Sequence, residues 1–258
     1  MRLMKRILSA AAVLALSASL LVGCSSGTAS SVPVSASSAA ESTVSSVEET
    51  ASSAVDENEA AAAQLLNDLT GSYQELWPVI LADEYKQTWL DDCTALVGED
   101  NAEAAFEKLS SMVTGDVYGE DAVKAYANGG GAYFCGFTNS LATLTFDGET
   151  STISGTDKDG NVLFSHTYHY IGMEPVHGLY EFESDDTDSG EFTYFFLAPD
   201  TSAETYHIEF RYGSDAEALS QYDAGEYAYW VASGISTDCD QTMIDNCIEL
   251  FCTENLAG

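Results

Sequence analysis

The chain has 258 residues, of which 42 are acidic and only 8 basic, for a formal net charge of −34. So negative a surface repels phosphate backbones and anionic headgroups, which excludes nucleic acid and an anionic lipid face as partners and favours cations. With 45% hydrophobic and 11% aromatic residues, it still carries enough apolar area for a sizeable core.

The first stretch, MRLMKRILSAAAVLALSASLLVGC, places Arg2, Lys5 and Arg6 before an apolar run too short to span a bilayer, followed by small residues. This is the pattern of a secretory signal over residues 1–23. Leu21-Val22-Gly23-Cys24 has the form of a bacterial lipobox, so Cys24 is expected to carry fatty acyl chains such as palmitate. The mature protein is then expected on the outer face of the cell membrane, held by lipid. Residues 24–62 are almost all Ser, Ala, Thr, Val and acid. Such a segment buries too little apolar area to offset chain entropy, so it reads as a flexible stalk that gives reach.

Residues 63–258 are expected to form one domain. EAAAAQLLNDL has helical periodicity and runs into TGSYQELWPVILADEYKQTWLDDC, where Pro78 is expected to break or restart the helix. NAEAAFEKLSSMV puts Ala105, Phe106, Leu109, Met112 and Val113 on one stripe, as in a helix lying on a core. NGGG at 128–131 lacks both the lysine and the following helix of a phosphate loop, so it reads as a turn. From Ala132 the period changes to two. Asp147-Gly148 and Asp159-Gly160 fall between alternating runs as hairpin turns, and an acidic turn separates GLYEFES from FTYFFLAPD. Successive hairpins predict an up-and-down antiparallel sheet, most economically closed into a β-barrel that leaves no edge, flanked by helices. SDAEALSQY carries a capping box from Ser214 to Glu217. DQTMIDNCIELFCTEN sets Met243, Ile244, Cys247, Ile248 and Phe251 on one face of a final helix.

After Cys24 the cysteines are Cys93, Cys135, Cys239, Cys247 and Cys252, an odd number. Export permits disulfides, and the odd count leaves at least one thiol without an intramolecular partner. No CxxC spacing occurs, which argues against a zinc ribbon or a redox dithiol. Cys247 and Cys252 are five apart on one helix and poorly placed to bond each other. Their pairing is open at this level.

There are 4 histidines, His166, His169, His177 and His207. On a strand His166 shares a face with Phe164 and Tyr168, while His169 points the other way. His207 shares its face with Glu209 and Arg211. Each alone reads as a surface or hydrogen-bonded histidine before it reads as a ligand. GxSxG and HExxH are absent, and no Cys/His pairing suggests a nucleophile, so the chain does not read as an enzyme.

Leu69, Gly71, Tyr73, Gln74, Trp77 and Pro78 form an LxGxYQxxWP segment ahead of the hairpins. Tyr206 through Gly213, Ala218-Leu219 and Tyr227-Ala228-Tyr229 follow them in a strand, short helix and aromatic run. In this order the chain resembles the ZinT (YodA) domain, which also occurs at the end of AdcA-type zinc-binding lipoproteins. The resemblance implies a calycin, lipocalin-like barrel. It also implies capture of zinc or another divalent ion outside the cell, with hand-over to a metal-uptake transporter, and imidazoles gathered at the barrel mouth. In the family's His-aromatic-His run this chain reads Thr205-Tyr206-His207, so only His207 matches. The expected metal set is therefore His207 with His177, His166 and Glu209, with Glu174 or Asp200 as further oxygen donors. The alternative expectation is a calycin-type binding module that has lost its ion and holds a small apolar ligand or a surface partner.

Overall fold

The computed structural model describes residues 57–257. The expected signal, Cys24 and most of the stalk lie outside the described residues. The first helix, α1, covers 57–68. It takes in residues 57–62, which the composition assigned to the stalk, and it buries Ala62, Leu65 and Leu66.

Eight strands follow: β1 (Gly71–Glu75), β2 (Thr143–Asp147), β3 (Thr152–Thr156), β4 (Val162–Met173), β5 (Tyr180–Ser184), β6 (Tyr194–Leu197), β7 (Ile208–Gly213) and β8 (Ala232–Ser236). Each pairs antiparallel with the next, and β8 returns to β1 with Ser236 opposite Tyr73, so the barrel is closed. This is the up-and-down architecture that the hairpin spacing predicted.

The ladder shows which side chains face inward. Phe182 lies opposite Phe195, and Phe195 opposite Tyr212. Phe164 stacks on Phe192 at 4.0 Å, and Tyr212 meets Trp230 edge to face at 5.0 Å. The interior is thus filled with aromatic rings, each worth on the order of 2–3 kcal/mol of burial. Gly155 sits opposite Leu144 and Phe164, and a Cβ there would come within 2.4 Å of both the Leu141 and Phe164 side chains.

Between β1 and β2 the chain leaves the barrel to build a helical layer: α2 (Leu76–Ile80), α3 (Lys86–Val97), α4 (Glu99–Val113) and α5 (Glu120–Ala127). After β6 come the short α6 (Ser202–Thr205) and, after β7, α7 (Ala216–Leu219). The closing α8 (Gln241–Leu256) packs against α3. Phe251 of α8 packs on Trp77 and Trp89, with ring centroids at 4.9 and 5.8 Å. The buried Trp89 indole donates to the Ile80 carbonyl at 2.7 Å.

Three local expectations are corrected. GSYQE forms barrel strand β1, not the run-in to a helix; only Tyr73 of its five residues is buried, so no period of two is visible. Pro78 occupies the third position of α2, where a missing N–H breaks no helical bond. The cap of α7 is Asp215, whose carboxylate accepts from Ala218 N at 3.0 Å, and the capping box lies instead at Thr201 and Glu204, opening α6.

Candidate functional site

The burial of β7 and β8 departs from a simple barrel strand. All six residues of β7 are buried, as are the first four of β8. Alternation disappears because a second layer covers the outer face: α8, the segment around Cys135 and the segment 216–230. Ser233 N donates to the Cys135 carbonyl at 3.0 Å, and Val231 N to that of Phe134 at 3.1 Å. Ile208, Phe210 and Tyr212 face the aromatic interior. His207, Glu209 and Arg211, two residues apart in turn, form a polar row on the covered side.

His207 is 2% exposed and Glu209 4%. Just before β7, Tyr206 ends α6 in the left-handed conformation with φ 65°, which turns the chain so that His207 enters under the outer layer. The His207 Nδ1–H donates to the Thr205 carbonyl at 2.7 Å, and Thr205 Oγ1 donates to the His207 carbonyl at 2.8 Å. This fixes the ring, and Nε2 faces Glu209 Oε1 at 3.8 Å, an ion-pair distance longer than a hydrogen bond. Cys247 of α8 brings its sulfur to 3.9 Å from Nδ1. Burial disfavours the imidazolium, but Cys247 and Glu209 outweigh it and push His207 up to about 9. Burial raises the Glu209 carboxyl, and the neighbouring His207 ring lowers it.

Arg211, on the same face as His207 and Glu209, turns to backbone carbonyls. The guanidinium donates to the carbonyls of Leu219, Gln221 and Tyr227 and lies over the Tyr222 ring, 4.2 Å from its centroid. It fastens the segment 216–230 to the barrel.

The remaining expected ligands lie apart from this pair. His177 is in the β4–β5 connection, 3.4 Å from the fully buried Glu174, and packs at a tilt on Tyr222 with centroids at 3.8 Å. Burial raises the Glu174 carboxyl, but hydrogen bonds from the His177 ring and from the amides of Val176 and His177 leave it below its usual range. On β4, His166 pairs with Asp186 at 2.8 Å, and His169, on the opposite face, with Asp185 at 2.7 Å. The acidic turn thus holds the two histidines of β4. Asp200 precedes α6 and is half-buried. The expected set is thus divided between two separate pairs, His207 with Glu209 and His177 with Glu174. Among the described residues no group of three or more His, Cys, Asp and Glu side chains is arranged to hold a metal ion. Cys247, 40 residues from His207 and marked by its pattern only as a buried position of the last helix, was not among the expected neighbours of His207.

A cavity of about 340 Å³ is lined by Trp77, Pro78, Leu81, Val113, Phe134 and Cys135 among others, so it belongs to the helical layer and not to the barrel interior.

No family model matches the chain, and no curated protein matches it. Among solved structures, the chain is similar to the Zn(II)-bound ZinT-like domain of Streptococcus pneumoniae AdcA, at 15% identity and a TM-score of 0.45. That match covers 72% of this chain and 89% of the other. It is also similar to Zn(II)-bound AdcA from the same organism, at 14% identity and a TM-score of 0.42, over 75% of this chain and 35% of that longer one. The same ZinT-like domain was reached from the sequence. At this identity and TM-score the likeness carries no chemistry, which is read from the residues alone.

Proposed function

We propose that the chain is a non-catalytic, lipid-anchored domain on the outer face of the cell membrane that captures a divalent cation, zinc first, at His207 and Glu209. It buffers that ion or passes it to a membrane transporter. One observation carries the reading: a buried imidazole whose Nδ1–H is held by a backbone carbonyl while Nε2 faces a buried carboxylate. Holding the far nitrogen in this way fixes the ring and aims the near one, as in imidazole ligands of metals, and a bound ion takes the place of the Nε2 proton. Nitrogen and carboxylate oxygen are both donors that zinc accepts, and the acidic surface raises the local cation concentration.

Two protein ligands leave the other positions of a tetrahedral ion to water. Binding in the micromolar range is therefore expected, suited to an ion that must be released. The test is calorimetric titration of zinc into the chelator-stripped full chain. Affinity is expected to fall by at least about tenfold in His207→Ala and in Glu209→Gln. An absence of binding, or binding that both variants leave intact, contradicts the proposal.

A further inference from the structure

Two cysteines that play no part at His207 face each other across the seam between α3 and α8. Cys93 and Cys252 are both fully buried, and their sulfurs are 3.9 Å apart. Among the described residues no other two cysteine sulfurs are in contact. The surroundings hold the pair in place: Trp89, one turn before Cys93, packs on Phe251, the residue before Cys252, and also on Phe106 of α4 at 5.7 Å. A bonded pair of sulfurs is about 2.05 Å apart, so the gap closes by side-chain rotation and a small approach of the helices.

We propose that Cys93 and Cys252 are joined as a disulfide that ties the last helix to the helical layer. The bond forms by thiol–disulfide exchange with a small or protein disulfide as oxidant. One cysteine, as its thiolate, attacks the oxidant and displaces one of its two sulfurs. The second then attacks the mixed disulfide and releases the other. The two cysteines lose two protons and two electrons, the oxidant's S–S bond is reduced to two thiols, and one Sγ–Sγ bond forms. Burial raises both thiols above their ordinary value, so the docked pair is protonated and exchanges slowly. Exchange accordingly takes place as α8 docks during folding. The bond joins residues 159 apart in sequence, closing a long loop of the kind whose closure most restricts the unfolded state.

The test is to refold the full chain from urea and reductant into mixed oxidised and reduced glutathione, block the remaining thiols, and map the peptides. The expected result is a cross-linked peptide joining Cys93 to Cys252. The melting temperature should then rise by about 10 °C over the reduced protein. That gain should be absent in Cys252→Ser and kept in Cys239→Ser, which alters the half-exposed cysteine. Mapping of the unaltered chain decides the question even where a variant fails to fold. Full alkylation of Cys93 and Cys252 after refolding, or either one joined to a different cysteine, overturns the proposal.

Discussion

At the residue scale, His207 couples stability to pH. Its folded-state value of about 9 lies above the ordinary 6.5, so the folded protein holds the proton more tightly than the unfolded chain. The stabilisation is fully present below the unfolded value, declines as pH rises, and is lost above the folded one. A shift of this size corresponds to on the order of 3 kcal/mol. Urea unfolding of the metal-free protein at pH 6, 7.5 and 9.5 should show midpoints that fall across this window. His207→Gln should flatten the trend; an equal slope in the variant would assign it to other groups. Arg211 works differently, through three backbone carbonyls. Arg211→Met strands those acceptors under the outer layer, at a cost of about 3 kcal/mol. Chemical denaturation should report the loss, and hydrogen exchange should place the loosened amides within 216–230.

At the scale of elements, the seam between α2, α3 and α8 depends on aromatic packing. Trp89→Ala removes the partner of Phe106 and Phe251 and the bond to Ile80, and should cost about 3–5 kcal/mol by denaturant melt. Elements whose two faces differ were legible in the sequence. The β2–β3 and β3–β4 hairpins announced themselves through Asp147-Gly148 and Asp159-Gly160, and α4 and α8 through their apolar stripes. Elements covered on both faces were not. β8 reads ASGIS, small residues with no alternation, because barrel and outer layer press on it from either side. The site was legible to the same extent. The spacing of His207 and Glu209 along β7 declared a shared face, but the approach of Cys247 depends on how α8 docks. The separation of His166 and His177 depends on barrel geometry, which no local pattern encodes.

At the scale of the whole molecule, excess negative charge opposes folding while attracting cations. The ion pairs of Lys86 and Lys124 are exposed and contribute little. Raising the salt from about 10 to 200 mM shortens the screening length from about 30 Å to below 10 Å. The melting temperature should therefore rise by about 3–5 °C in sodium chloride without any specific site; a fall would show that attractive pairs dominate.

The proposed function has the acidic surface gather cations and the His207–Glu209 pair hold one, and the measurement that separates these roles is zinc K-edge X-ray absorption on the protein loaded with one equivalent of the ion. The expected spectrum contains imidazole scattering from one nitrogen ligand at about 2.0–2.1 Å, and it disappears in His207→Ala. An all-oxygen shell, unchanged by that substitution, would place the ion on surface carboxylates and contradict the assignment of His207 as its ligand.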